Sequence, residues 1–360
     1  MPRLSAASTE AHYALEQPPS GSVFALWIIP LILSTLGVVV IASMKGWSFS
    51  SPGFKQAVWL VFALSAFVFS TQIPLRMWFR TSGFLLCVAL LLVFLTLTPL
   101  GVSVKGASRW IRLGPVNFQP LELVSLALMV HFSKVYARET KISRALTATV
   151  ILFIPFAAVI LLQPDFGGFL MIAALIGALF VERYGILVPA ILSVAAAPFL
   201  WYFASRGYRM ERIAMWFDPW LDPMDSGYQV IQGLIAFANG RIWGIGMGRG
   251  QGFLPEIHND FIFPAIGEQF GLIGTGFVFF LFLLWTLCVY AKYMKAEPLR
   301  RIAIWGCCVS VLLPFFINLG GVMKIIPLTG MPLPFVSYGG TSLVMMWVRI
   351  GLLIRLVREK

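Results

Sequence analysis

The sequence predicts an all-α, polytopic integral membrane protein of about ten transmembrane helices with a large extracytoplasmic loop. Three observations carry the prediction. Hydrophobic residues fill 59% of the 360 positions, charged residues only 12%, and the mean hydropathy is +0.86; such a chain cannot cover a soluble globule with an ordinary charged surface. Apolar runs recur at lengths near the ~20 residues that a helix needs to cross the hydrocarbon layer. More than half of the 27 basic residues fall at the two chain ends and in alternate inter-helix segments, the bias expected of the cytoplasmic side.

The elements follow in order. Residues 1–21 are a polar tail with Pro18 and Pro19 and no charged start leading to a cleavage site, so the first apolar run, 22–44, reads as a retained helix. Further spans are expected at 56–72, 82–100, 121–137, 146–162, 167–183, 186–204, 262–290, 302–320 and 339–356, all within one transmembrane domain, 22–356, before a short tail at 357–360. Basic residues place both termini and the loop around Lys292, Lys295, Arg300 and Arg301 in the cytoplasm. The other side keeps too many cations for topology alone, among them Lys105, Arg109, Arg209, Arg212 and Lys324. Singly each reads as a headgroup contact. Together they point to an anionic ligand, and not to nucleic acid. Arg209 and Arg212 stand three apart, on one face if their segment is helical.

Three outer loops are rich. Residues 101–122, "GVSVKGASRWIRLGPVNFQPLE", contain too much Gly and Pro for one continuous helix, and their apolar residues suit a short amphipathic segment lying on the outer leaflet. The loop at about 205–262 far exceeds a typical connection of ~4–6 residues, and loops that long are usually functional or disordered; its aromatic residues argue against disorder. Residues 320–340, rich in Pro and Gly, cannot form regular helix, and such backbone at membrane depth must be buried in protein or line a watery cavity. Cys87, Cys288, Cys307 and Cys308 fall inside expected spans, while His12, His131 and His258 are scattered. Neither a disulfide framework nor a Cys/His metal cluster is available.

The acids are the sharpest feature. "LPEIHNDFIFPAIGEQFG", 254–271, holds Glu256, Asp260 and Glu268 at the junction of the largest loop with a span. Spacing alone reads Asp260 as an N-cap, Glu256 as a solvated loop residue and Glu268, two helical turns deeper, as a paired interior residue. Glu122 and Asp165 each follow Gln-Pro, a good helix start in which the carboxylate favours the positive helix end.

Five blocks carry a family resemblance: "QPDFGG" at 163–168, "DSGYQVIQ" at 225–232, "LPEIHNDFIF" at 254–263, "GEQFG" at 267–271 and "PLPFVSYGG" at 332–340. In this order they resemble the signature blocks of the SEDS family (shape, elongation, division and sporulation), closer to its cell-division branch than to its elongation branch. The resemblance implies a peptidoglycan glycan-strand polymerase that uses lipid II and releases undecaprenyl pyrophosphate. It implies a class B penicillin-binding protein as partner, other division or elongation membrane proteins beside it, and a bacterial cytoplasmic membrane with the site on its outer face. Asp260 then becomes the general base. Glu256 is a second carboxylate, the pair being candidates to hold a divalent cation, Mg or Mn. Glu122, Asp165, Glu268, Lys105, Arg109, Arg209, Arg212, Lys324 and Ser337 are substrate-cavity candidates, with the cations on pyrophosphate. The chain departs from the pattern at Ser125, where the family's lysine is expected, and at Gly168, usually Thr. It is also shorter and lacks a lysine before "LPE", where Arg249 is a substitute. An elongation-type polymerase, a lipid II flippase or transporter, and a non-enzymatic scaffold stay open. A transporter places its deepest polar cavity near the midplane, an enzyme at the outer leaflet.

Overall fold

The computed structural model describes residues 20–104, 107–114, 116–205, 208–250 and 258–359. In chain order it contains helices α1 (Ser20–Lys45), α2 (Pro52–Gln72), α3 (Leu75–Arg80) and α4 (Ser82–Leu95), then strands β1 (Gly101–Val104), β2 (Ala107–Leu113) and β3 (Val116–Phe118). Helices α5 (Pro120–Arg138), α6 (Ile142–Leu162), α7 (Phe166–Tyr184), α8 (Leu187–Ala204), α9 (Tyr208–Phe217) and α10 (Tyr228–Gly240) follow. The chain closes with α11 (Ile262–Tyr293), α12 (Pro298–Val322) and α13 (Gly340–Arg358).

Each of the ten expected spans is largely helical. Seven of them, α1, α2, α6, α7, α11, α12 and α13, are long and apolar enough to cross a membrane, and α4 and α8 are shorter apolar helices. The tenth, α5, carries Glu122, His131, Lys134 and Arg138. It is tolerated because it is central: Val124 to Val130 are buried without a break, against α4, α7 and α12. A polar helix at membrane depth is stable when protein, not lipid, surrounds it.

Two expectations are corrected. The 101–122 segment is not a short amphipathic helix but, over 101–118, a three-stranded antiparallel sheet in the order β1-β2-β3. Gly114, at φ 61°, starts the turn between β2 and β3. The pairing steps from Val102↔Trp110 to Ser103↔Ser108, which leaves Arg109 as an extra residue in a bulge. Bulges re-aim side chains, and that of Arg109 turns onto α7.

The second correction concerns 262–290, which is not one helix. Gly271 breaks α11 at φ 66° and ψ −161°, a region essentially reserved for glycine. The break frees backbone groups inside the membrane domain, where each must find a partner. The Gly-rich stretch after α10 supplies them. Ile245 and Gly246 donate to the carbonyls of Glu268 and Gln269 at 2.9 and 3.1 Å, while Leu272 and Ile273 donate to the carbonyls of Arg241 and Ile242 at 2.9 and 3.3 Å. Glycine permits the approach: a Cβ on Gly244 would stand 2.1 Å from the Gln269 oxygen. The first half of α11, Ile262–Gln269, is thereby buried throughout, directly after Asp260.

Candidate active site

Asp260 precedes α11 and is partly buried. Three successive carbonyls fix the backbone that carries it. The Tyr338 N–H donates to His258 O at 2.7 Å, the Ser337 hydroxyl to Asn259 O at 2.6 Å, and the Asn318 amide to Asp260 O at 2.9 Å. The same Asn318 nitrogen donates to Met331 O at 2.7 Å. The 323–339 stretch between α12 and α13 is thus the clamp on Asp260. It is non-helical, as its Pro and Gly content predicts, with Lys324 and Phe335 at positive φ of 64° and 65°. Gln56 of α2, fully buried, holds that clamp in turn: its Nε2 donates to Ser337 O at 3.1 Å and its Oε1 accepts from Gly339 N–H at 3.3 Å.

A cation stands beside the carboxylate. A Cβ on Gly330 would lie 3.2 Å from Asp260 Oδ2 and 3.9 Å from Arg212 Nη1, so the two side chains meet over this glycine. Arg212 is held by donating to Leu328 O at 3.0 Å, which ties α9 to the clamp. Lys324 packs against the same helix. Its Nζ donates to Phe217 O at 3.3 Å and its carbonyl accepts from Trp216 Nε1 at 3.0 Å. A lysine on the last carbonyls of a helix is a favourable stop, and Lys324 lies at the rim of the site.

The remaining candidates divide. Asp165, 5% exposed, accepts from Gly168 N–H at 3.1 Å as the N-cap of α7 and pairs with Arg109 Nε at 3.3 Å. Together they bind the sheet to α7, and a Cβ on Gly167 would lie 4.0 Å from Asp165 Oδ1 and 3.8 Å from Met331 Cε, beside the clamp. Glu268, 2% exposed, lies in the buried half-helix, with Asn239 Nδ2 3.4 Å from its Oε1. Ser337 is buried and is spent on the clamp, receiving Leu333 N–H at 2.8 Å while bonding Asn259. Glu122 opens α5 but turns to α13, accepting from Ser342 Oγ at 2.7 Å and Arg349 Nη2 at 2.9 Å. Lys105, Glu256 and the side chain of Arg209 lie outside the described residues. Among the described residues no group of three His, Cys, Asp or Glu side chains converges as a metal site.

Asn318, Gln56, Ser342 and Arg349 were not singled out from sequence, though all four are polar groups inside apolar helices. That was the available signal. A cavity of about 30 Å³ lies beneath Met331 and Pro332, with Glu122, Ser310, Ser342 and Arg349 on its wall. Its lining runs from the first turns of α5 and α13 to Leu175, Ser310 and Arg349, midway along α7, α12 and α13. The arrangement provides a clamped carboxylate and a neighbouring guanidinium, with a small cavity beneath the clamp. Those parts suit proton abstraction next to a developing anion.

Known proteins share this architecture. A family model described as a cell cycle protein, spanning FtsW, RodA and SpoVE, matches residues 23–360. The probable peptidoglycan glycosyltransferase FtsW of Haemophilus ducreyi is 35% identical over 321 residues, 85% of this chain and 80% of the relative. That of Saccharophagus degradans is 34% identical over 363 residues, 93% of this chain and 92% of the relative. Among solved structures, a chain from "Structural coordination of polymerization and crosslinking by a peptidoglycan synthase complex" superposes with a TM-score of 0.80 at 26% identity, covering 93% of this chain and 97% of that one. The rod shape determining protein RodA of Thermus thermophilus shares the fold, with a TM-score of 0.70 at 24% identity over 93% of this chain and 96% of its own.

Proposed function

The chain belongs to the cell cycle protein family of FtsW, RodA and SpoVE, and we propose that in this member Asp260 is the general base that drives glycan-strand polymerisation. The class of activity follows from the family and its relatives. The chain is a multi-pass membrane protein and a peptidoglycan glycosyltransferase, and its likeness to FtsW and to a chain of a peptidoglycan synthase complex assigns it to septal wall synthesis.

The mechanism is our reading. Lipid II is the substrate. A sugar hydroxyl on one molecule attacks the anomeric carbon of the other, the C–O bond to the lipid pyrophosphate breaks, and the hydroxyl proton passes to Asp260. A positioned base contributes typically ~100- to 10,000-fold. Arg212 stands where negative charge builds on the leaving group, and a preorganised cation at such a point is more effective than any that must move into place. Arg209, one turn earlier on α9, and Lys105 are further candidates for that charge. Asp260 and Glu256 would hold a divalent cation, a donor set that Mg²⁺ accepts when substrate phosphates complete it; when bound, the cation would neutralise pyrophosphate charge.

A class B penicillin-binding protein is the proposed partner. Both termini are placed in the cytoplasm and the Asp260 end outside, on the distribution of basic residues. The observation that carries the reading is the Asp260 clamp: three carbonyls tied down and Arg212 alongside. Purified protein, with and without its penicillin-binding partner, is incubated with lipid II and Mg²⁺ or Mn²⁺, and a gel scores glycan strands. Absence of strands under every condition overturns it.

A further inference from the structure

Arg349 is a full cation inside the membrane domain. It lies nine residues into α13, about 13 Å along a helix that rises ~1.5 Å per residue, and is 1% exposed. Burial of a charge demands compensation, and here one nitrogen takes all of it. Nη2 donates to the Glu122 carboxylate and carbonyl, each at 2.9 Å, and to Ser125 Oγ. Nε and Nη1 are buried and have no partner among the described residues. Arg349 is also a lining residue of the cavity beneath Met331 and Pro332, whose volume of about 30 Å³ is enough for water. The residue therefore ties α13 to Glu122 and borders the space under the Asp260 clamp.

Both oxygens of Glu122 are engaged from α13, Oε1 by Ser342 and Oε2 by Arg349. Ser342 lies three residues beyond Gly339, where the Asp260 clamp ends. Met331 belongs to both features. It lines the cavity, and its carbonyl shares the Asn318 amide with Asp260. The start of α5, the start of α13 and the Asp260 loop are thereby joined through a few directional bonds.

We propose that Arg349 is a positioning residue of the active site: it fixes the Glu122 carboxylate at the cavity wall and so holds the 331–340 segment that carries the Asp260 clamp. The proposal rests on the polymerase reading above. A purely structural pair predicts otherwise. Replacing a buried ion pair by neutral groups is often harmless to stability, whereas removing one member strands the other charge. Stability and turnover can therefore be separated.

The experiment uses the full chain with its penicillin-binding partner and lipid II, measuring thermal midpoint, kcat and KM for wild type and four variants. Glu122→Gln and Arg349→Met should each lower the midpoint. The double variant Glu122→Gln/Arg349→Met should regain it, yet keep kcat on the order of 10- to 100-fold below wild type with KM little changed, as expected when reacting groups shift by a fraction of an ångström. Ser125→Lys/Arg349→Met returns a cation to Glu122 from its own helix, because residues three apart face one another and Ser125 already touches the guanidinium. It should recover kcat to within about tenfold of wild type. A double neutral variant with wild-type midpoint and wild-type kcat overturns the proposal, leaving a helix tie. So does a Ser125→Lys/Arg349→Met protein that folds normally but stays as slow as Arg349→Met. If wild type itself forms no strands, the polymerase reading has failed and this proposal falls with it.

Discussion

Asn318 reaches across from α12 to donate to the carbonyl of Asp260 at 2.9 Å, so a residue on one membrane helix sets the position of the candidate base at the head of another. The same nitrogen donates to Met331 O at 2.7 Å, and one amide thus holds both sides of the site at a fixed separation. Asn318→Asp tests this with little change of volume. A carboxylate cannot donate, and it would face two carbonyl oxygens. Polymerisation should fall on the order of 10- to 100-fold, with a loss of about 1–3 kcal/mol in stability for unsatisfied buried acceptors. A gel assay at matched protein level, alongside a thermal melt, checks both. Near wild-type turnover would mean that the amide does not set the site.

Gly271 supports a second expectation. Its φ of 66° and ψ of −161° suit no other residue, and a Cβ there would stand 2.3 Å from Ile242 O, which leaves no room for a side chain. Gly271→Ala should be destabilised by at least about 1–3 kcal/mol from the backbone alone, and the displaced 241–246 stretch would unseat the buried half-helix behind Asp260. Detergent-resistant folding, followed by size-exclusion profile and thermal midpoint, reads the effect. A midpoint equal to wild type would show that the break is tolerant.

Much of this was legible in the sequence, for physical reasons that differ by element. Spans are signalled by length and apolarity, which bilayer thickness imposes directly, and the spanning helices fall where the apolar runs lie. The break at Gly271 was not legible: nothing in "GEQFG" distinguishes a helix-breaking glycine from one that merely packs, until the 240–248 loop is seen repairing its hydrogen bonds. The sheet at 101–118 was missed because its apolar residues suit an interfacial segment equally well, and pairing is decided by partners that a local pattern does not name. Asp260 was found through its block, whereas Arg349 read only as a basic residue within the last span. Its burial depends on Glu122, more than two hundred positions away.

Two cations first grouped together now separate. Arg212 lies beside Asp260, whereas Arg109 pairs with the α7 cap Asp165, its own side chain 32% exposed. Arg212→Gln should weaken lipid II turnover on the order of 100-fold, the scale of one preorganised donor to a developing anion. Arg109→Gln should leave turnover near wild type but lower stability by about 1–3 kcal/mol, because the buried Asp165 carboxylate loses its partner. Equal losses of turnover in both variants would refute the separation.

The orientation carries its own check. Ser226, in the exposed turn before α10, and Lys295, in the loop between α11 and α12, lie in segments assigned to opposite sides of the membrane. Ser226→Cys in intact spheroplasts should react with an impermeant thiol reagent, and Lys295→Cys should react only after the membrane is opened. The reverse pattern would invert the topology and put Asp260 on the wrong side for an outer-leaflet substrate.

The central prediction concerns Asp260. Its backbone is fixed by Asn318, and its two neighbours by Ser337 and Tyr338, so exchanging the side chain should leave the loop in place. Asp260→Asn keeps the shape and hydrogen-bonding capacity, yet the amide cannot take up the proton of the acceptor hydroxyl. It should reduce polymerisation by at least ~100-fold, the lower end of a general base's contribution, while expression and partner binding stay normal. The cap reading is set aside by the structure, which gives the N-cap position of α11 to Phe261 with no side-chain cap bond; a merely structural Asp260 would lose almost nothing on exchange for Asn, which has the same shape. Glu256→Gln should be milder, since a residue that orients a cation contributes less than the base. Glycan strands from the two variants, compared at equal protein concentration, decide the matter. Wild-type rates from Asp260→Asn would reduce the carboxylate to a structural residue, and the clamp around it would need another purpose.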